Sequence, residues 1–339
     1  MLNIAINGFG RIGRLFLKRA MKEGGMRVVA INDLGDAENL AYLLRYDTVY
    51  GRYAGSVAVE PGKLVVDGQP IIFLQEKDPM KLPWGKLGID VVIESTGAFE
   101  SYEKAKVHCD AGAKQVIISA PAKDADGAAG KTILMGVNEK EAEGMSVTSN
   151  GSCTTNAASP VLSIMDESVG IEKAILNTVH AYTATQSIVD GPTKGSDYRR
   201  GRAAAQNIAP SSTGAAIAAT RAIKSLEGKF DGIAVRVPVP SGSLVDVTFV
   251  SRRKTSVEEV NELFRNAANT PRWQHIMKVT EDQLVSSDIV GEPYAAIIDL
   301  GFTKVVDGNL VKVLAWYDNE AGYVATLIAR VASLAKQGN

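Results

Sequence analysis

The stretch "LNIAINGFGRIG" (residues 2–13) runs from apolar strand character into three glycines, Gly8, Gly10 and Gly13. A helical pattern, "RIGRLFLKRAMKE" (11–23), starts inside it, with apolar positions at Ile12, Leu15, Phe16 and Ala20. Glycines at this spacing are common by themselves. Between a strand and a helix they acquire a mechanical meaning. The first permits a tight turn, the second lets backbone approach a pyrophosphate, and the third brings helix against strand. The unpaired N–H groups of the helix N-terminus then face the anion. Asp33, 20 residues beyond Gly13, ends a second apolar run, "RVVAIND" (27–33). A carboxylate there accepts hydrogen bonds from an adenosine ribose and repels a 2′-phosphate, which favours NAD over NADP.

Outward from this point the alternation continues. A helix over "AENLAYLLRYD" (37–47) is followed by strands over "GIDVVIES" (88–95) and "KQVIISA" (114–120), with a helix over "SYEKAKVHCDAG" (101–112) between them. Non-alternating apolar strands separated by helices predict a Rossmann-type, doubly wound parallel sheet. From Cys153 the texture changes. A helix over 153–169 leads to longer, alternating strands at 174–185, 231–240 and 244–253, the pattern of a mostly antiparallel sheet with one face covered. The whole is an α/β chain with an NAD-binding domain at 1–152 and an α+β catalytic domain at 153–319. The C-terminal helix, 320–339 with its periodic part at 321–337, completes the first domain. Residues 186–210 read as a long loop, a length that is usually functional or interface-forming.

Hydrophobic content of 45%, charged content of 22% and a net charge of −1 describe an ordinary globular chain. With a pI near 6.4 and only short basic groups such as "YRRGR" (198–202) and "SRRK" (251–254), neither a nucleic-acid surface nor an acidic membrane surface is indicated. No apolar run approaches the ~20 residues of a membrane span, and the N-terminus lacks the pattern of a signal peptide, so a cytoplasmic location is expected. Two cysteines 44 residues apart make no disulfide framework or CxxC knuckle, and His108, His180 and His275 show no HExxH spacing. No metal is expected.

One cysteine stands out. In "SNGSCTTN" (149–156), Cys153 falls in the first turn of a helix after Ser152, a suitable N-cap. Unpaired N–H groups and the positive end of the helix dipole favour a nucleophilic thiolate there. A buried structural cysteine is the other reading of the residues, and Cys109 in "KVHCDAG" fits that role. A thiolate that forms a hemithioacetal needs a base, and of the three histidines only His180 lies in a strand-like segment of the second half, "NTVHAYT". The residues alone leave that pairing open.

Nine segments in order, among them "INGFGRIGR" (6–14), "ESTGAF" (94–99), "SNGSCTTN" (149–156), "HAYTATQ" (180–186), "NIAPSSTGAA" (207–216) and "WYDNEAGY" (316–323), make the chain similar to phosphorylating glyceraldehyde-3-phosphate dehydrogenases over nearly its full length. The resemblance implies oxidation of D-glyceraldehyde 3-phosphate to 1,3-bisphosphoglycerate with NAD and inorganic phosphate. Cys153 attacks the aldehyde, His180 is the base, and the backbone N–H of Cys153 helps hold the oxyanion. It implies a substrate-phosphate site at Thr183, Arg236 and Arg200, and a second phosphate site at Ser152, Thr154, Thr213 and Gly214. On the cofactor it adds Arg11 and Ile12 at the pyrophosphate, Lys77, Thr96, Gly97 and Ser119 along the dinucleotide, Asn319 at the carboxamide and Tyr323 by the nicotinamide ring. Pro192 matches NAD-specific members. The family also implies a homotetramer, with the 186–210 loop reaching a neighbour's cofactor.

The chain departs from the family pattern in places. Gly151 stands where alanine is usual and should loosen the helix entry. Ser241-Gly242-Ser243 replaces Asn-Val-Ser, Ile217 and Ala321 are atypical, and Thr185 is aspartate in some members. None of these falls on a residue assigned a chemical role, so packing and the subunit interface are what they should touch. The sister activity, erythrose-4-phosphate dehydrogenase, is the alternative. The intact "SSTGAA" (211–216) favours a bound second phosphate and hence phosphorolysis. A non-catalytic NAD-binding scaffold should have lost Cys153 or His180, and both are present.

Overall fold

The apolar run Leu2–Asn7 becomes a strand whose last four residues are buried, and the glycine turn passes it to helix Arg11–Ala20. The computed structural model describes residues 1–193 and 195–337. Position 194 of the expected loop and positions 338–339 of the expected C-terminal segment lie outside the described residues. The chain forms two units. One holds Met1–Ile133, Glu139–Gly151 and the chain from Leu327 on, and the other holds Leu134–Asn138 and Ser152–Thr326.

The first unit is built on a nine-stranded sheet. From edge to edge its strands are Lys131–Thr132, Val147–Ser149, Gln115–Ile118, Val91–Glu94, Leu2–Asn7, Met26–Asn32, Gln69–Leu74, Lys63–Val66 and Val57–Glu60. Pairings are parallel as far as Gln69–Leu74, and the last two strands add an antiparallel edge. Asn7 ends its strand in register with Asn32 on one side and Glu94 on the other. Helix Arg11–Ala20 buries Phe16, Leu17 and Ala20, as the apolar stripe requires. The helix expected over 101–112 is interrupted. It forms two short helices, Tyr102–Ala105 and Val107–Asp110, joined at Lys106, which keeps helical dihedrals while Cys109 N bonds its carbonyl in the tighter i→i+3 pattern.

The second unit carries a seven-stranded, mostly antiparallel sheet in the order Ala209–Ser212, Phe230–Val237, Ile171–Ala181, Ser243–Ser251, Leu310–Tyr317, Ala296–Val306 and Met277–Thr280. Burial alternates residue by residue along Ser243–Ser251, so one face is covered and the other is not. Helix Cys153–Ser168 lies on the covered face, packing Val161, Leu162 and Met165 with Val247, Val313 and Ala315. The segment read as a loop over 186–210 contains a 3₁₀ turn, Tyr198–Gly201, and runs into the edge strand Ala209–Ser212. Among the described residues no helix is long and apolar enough to cross a membrane.

Candidate active site

In the first unit a cleft of about 550 Å³ opens at the carboxyl ends of the parallel strands, lined by Gly8, Gly10, Asp33, Lys77, Thr96 and Phe99 among others. The glycines there do different work. Gly8 has φ 97°, and a Cβ on it would lie 2.7 Å from Ser95 C and Thr96 N. Gly13 faces the Gly8 carbonyl so closely that a Cβ would overlap it, and Ile6 Cγ2 would be 3.1 Å away. Around Gly10 the protein offers nothing within 4 Å of a Cβ, and no side chain caps the helix that follows. Open space before uncapped N–H groups is what a pyrophosphate needs, so the residues fit a dinucleotide.

Asp33 is held by its backbone neighbours: Oδ2 accepts from Phe9 N at 2.6 Å and Oδ1 from Gly35 N at 2.8 Å. The Arg11 guanidinium pairs with Asp47 at 2.8 Å. Its charge and the N–H groups of Tyr50 and Val49 bring the Asp47 carboxyl below its ordinary range, although burial pushes the other way. Ile12 and Ser119 are half-buried and Gly97 is exposed. None of these three lines the cleft.

The second unit brings together Cys153, His180, Arg236, Thr154, Thr183 and Arg200. Cys153 begins its helix behind a capping box in which Ser152 Oγ accepts from Thr155 N at 3.0 Å. Its Sγ lies 3.4 Å from His180 Nε2. His180 and Arg236 are register partners on neighbouring parallel strands, which places the guanidinium beside the imidazole. His180 Nδ1 is 2.7 Å from the Ala181 carbonyl oxygen and 2.7 Å from Arg236 Nη1, which also donates to that oxygen at 3.2 Å.

Burial and then the Arg236 charge push the imidazole down to about 3, so it is neutral at ordinary pH. Burial likewise pushes the Cys153 thiol up, against the opposite pull of Arg236 and of the Thr154 and Cys153 N–H groups. The N–H groups at the helix start thus favour thiolate as expected, while burial acts against them. Burial is the largest influence on each group, favouring thiol over thiolate and imidazole over imidazolium. The proton can cross between them without charging the pair as a whole.

Tyr317, to which sequence reasoning gave no role although it lies inside "WYDNEAGY", completes the frame. Its ring meets the imidazole edge-on at 5.9 Å, and its hydroxyl joins Thr154 Oγ1 at 2.9 Å to Thr178 Oγ1 at 2.8 Å. Thr183 and Arg200 meet through Thr185, whose hydroxyl is 2.9 Å from Thr183 Oγ1 and accepts from Arg200 Nη1 at 3.0 Å. Arg200 Nη2 donates to Ser211, Asp197 lies 3.9 Å from its Nε, and the buried Nε of Arg236 makes no hydrogen bond. Thr213 Oγ1 accepts from Ala215 N at 3.2 Å, and Gly214 caps helix Ala215–Ala222.

Asn319 is buried, its Oδ1 accepting from Ser243 Oγ at 3.0 Å and Ser241 Oγ at 3.4 Å. Tyr323 is buried in the first turns of helix Ala321–Gln337. The Ser241 departure therefore touches Asn319 directly, contrary to the expectation that such positions bear only on packing. Gly151 also differs from expectation. It has φ 64°, a left-handed conformation that glycine adopts at least cost, so it shapes the entry to the helix rather than loosening it. Cys109 is half-buried against the apolar core of the first unit, with its thiol pushed up by burial. Among the described residues no group of three or more His, Cys, Asp or Glu could hold a metal.

The chain is similar to known proteins over nearly its whole length. Residues 2–102 match the model of the glyceraldehyde 3-phosphate dehydrogenase NAD binding domain, and residues 152–319 match that of the C-terminal domain. The chain is 47% identical to the glyceraldehyde-3-phosphate dehydrogenase of Clostridium pasteurianum and 48% identical to that of Clostridium acetobutylicum, over 99% of both chains in each case. It is 45% identical to glyceraldehyde-3-phosphate dehydrogenase 2 of Bacillus subtilis over 99% of this chain and 98% of the relative.

Proposed function

Because the chain belongs to the glyceraldehyde-3-phosphate dehydrogenase family and is an NAD-dependent dehydrogenase, we propose that its reaction runs through an acyl group carried on Cys153. The substrate is D-glyceraldehyde 3-phosphate and the product 1,3-bisphosphoglycerate. The observation that carries this reading is the 3.4 Å approach of Cys153 Sγ to His180 Nε2 at the start of a helix.

In the tautomer where Nδ1–H and Arg236 Nη1 share the Ala181 carbonyl as two donors on one oxygen, His180 Nε2 is bare and takes the thiol proton as sulfur adds to the aldehyde carbon. The backbone N–H of Cys153 steadies the oxyanion. His180 returns that proton to the oxyanion, which gives the hemithioacetal hydroxyl, and takes it up again as the carbon loses hydride and becomes a thioester. NAD, when bound, supplies the hydride acceptor. Inorganic phosphate attacks the thioester carbon, the C–S bond breaks, and the released thiolate recovers a proton. The substrate phosphate is assigned to Thr183, Arg200 and Arg236, whose guanidiniums grip phosphate with paired N–H groups. The attacking phosphate is assigned to Ser152, Thr154, Thr213 and Gly214.

The first unit is assigned the dinucleotide, with Gly8, Gly10, Arg11, Ile12, Gly13, Asp33, Lys77, Thr96, Gly97 and Ser119, and the second supplies Asn319 and Tyr323. The proposal includes a homotetramer in the cytoplasm. Exposed Ile175, Ile233, Phe302, Val306 and Leu310 on strands of the second sheet support self-association.

The test is NADH formation from glyceraldehyde 3-phosphate, NAD and phosphate by the parent and by Cys153→Ser. The parent should depend on phosphate and the variant should be inactive. Turnover of erythrose 4-phosphate that equals this rate without phosphate would transfer the assignment to the sister activity.

A further inference from the structure

A buried polar cluster reaches from the wall of the cofactor cleft to Glu94 and His108 behind it, and none of these steps uses that pair. Three neighbouring strands end in Asn7, Asn32 and Glu94, which are 2%, 5% and 2% exposed. Glu94 Oε2 accepts from Asn7 Nδ2 at 2.6 Å and lies 3.0 Å from His108 Nε2, while Oε1 accepts from Thr96 N at 2.8 Å and from the Thr96 hydroxyl. Asn7 Oδ1 accepts from Asn32 Nδ2 at 2.8 Å, and Asn32 Oδ1 accepts from Glu76 N at 2.9 Å.

His108 is fully buried, with Trp84 Nε1 3.1 Å from its Nδ1. An indole N–H can only donate, so Nδ1 is the bare acceptor and Nε2 carries the proton, which goes to Glu94. The 3.3 Å approach of Asn7 Nδ2 to His108 Nε2 is then a contact between two donors that share one oxygen. Glu94 thus has four donors on its two oxygens, the full satisfaction that a buried carboxylate requires.

Each end of the network stops at a segment of the cleft. Asn7, Asn32, Glu76 and Thr96 line the cleft, and the first three precede Gly8, Asp33 and Lys77. Such segments are loops, whose conformations the sheet ladder alone does not hold.

We propose that Glu94 and His108 are positioning residues for the dinucleotide, a buried brace that sets the relative places of the glycine turn, the Asp33 turn, the Lys77 loop and the Thr96 loop. The proposal rests on the assignment of the dinucleotide to this cleft. Preorganisation of this kind acts on cofactor affinity and leaves the thiol chemistry of the second unit alone.

The test uses the full chain and compares His108→Leu, His108→Gln, Glu94→Gln and Trp84→Phe with the parent, by fluorescence titration with NAD, steady-state kinetics and carboxymethylation of Cys153 without NAD. His108→Leu removes the donor to Glu94. Glu94→Gln turns one acceptor into a donor facing donors, and Trp84→Phe releases the imidazole tautomer. His108→Leu and Glu94→Gln should raise the NAD Kd and KM at least tenfold, with kcat at saturating NAD and the carboxymethylation rate within threefold of parent. Trp84→Phe should weaken NAD several-fold. His108→Gln can accept from Trp84 and donate to Glu94, so it should stay within threefold.

NAD affinity within threefold of parent for whichever of His108→Leu, Glu94→Gln and Trp84→Phe fold would overturn the proposal, as would equal losses of thiol reactivity and NAD binding. Gly10→Ala is the control on the cleft. If it binds NAD like the parent, the cofactor assignment fails. If it loses NAD while the brace variants do not, only the brace fails.

Discussion

Gly8→Ala and Gly10→Ala alter neighbouring positions in the same turn, yet they should separate stability from cofactor binding. At Gly8, with φ 97°, an L-residue costs about 1–2 kcal/mol in backbone conformation alone. Its Cβ would lie 2.7 Å from Ser95 C, about 0.8 Å inside the ~3.5 Å at which carbon atoms pack (3.5 − 2.7). Overpacking of that kind adds about 1–3 kcal/mol, for a total of about 2–5 kcal/mol. At Gly10, with φ −71° and ψ −157°, alanine meets no protein atom within 4 Å. The change there should cost no more than about 1 kcal/mol, the scale of an N-cap substitution. Its methyl group projects into the space that the pyrophosphate reading requires, so NAD affinity should fall at least tenfold, about 1.4 kcal/mol. Urea melts report the first quantity and NAD titration the second. If Gly10→Ala lowers stability as much as Gly8→Ala, or binds NAD like the parent, the division of labour among these glycines is wrong.

The remaining expectations concern the thiol site. Arg236→Gln removes the charge that pulls the Cys153 thiol down, so alkylation by iodoacetamide at pH 7 should slow several-fold and its inflection should move to higher pH; an unchanged profile would show that the guanidinium does not act on the sulfur. His180 is pushed from 6.5 to about 3, so the unfolded chain binds the extra proton between those values and stability falls as pH drops through that window. At pH 5 the loss is about 2 kcal/mol (1.5 × 1.36). Acid melts of His180→Asn should lack that slope, while above pH 6.5 the two slopes should agree. Tyr317→Phe keeps the ring against His180 but leaves Thr154 and Thr178 without their shared partner, which should cost about 1–3 kcal/mol in urea melts and lower kcat about tenfold through looser placement of Cys153.

Much of this is legible in sequence because it is local. The Leu2–Asn7 strand, the three glycines and the helix from Arg11 are contiguous, and steric rules acting over a few residues suffice to read them. The extent of the C-terminal helix, Ala321–Gln337, follows from its apolar period in the same way. The antiparallel edge at Val57–Glu60 and Lys63–Val66 is not legible, since strands of four residues give too short a run to carry a strong pattern, even where Leu64 and Val66 are buried. The break at Lys106 escapes because the residue keeps helical dihedrals.

Residue types and spacing determined the family, the NAD cofactor and the two chemistries to look for, since a nucleotide turn and a helix-tip cysteine are each written in one short segment. The tertiary structure alone decided that His180 faces Arg236 across a parallel register, that Tyr317 closes the frame, and that His108 turns inward to Glu94. It also decided that burial pushes the Cys153 thiol up. Those outcomes depend on which distant segments pack together and how much water they exclude, and desolvation has no counterpart in the order of residues along the chain.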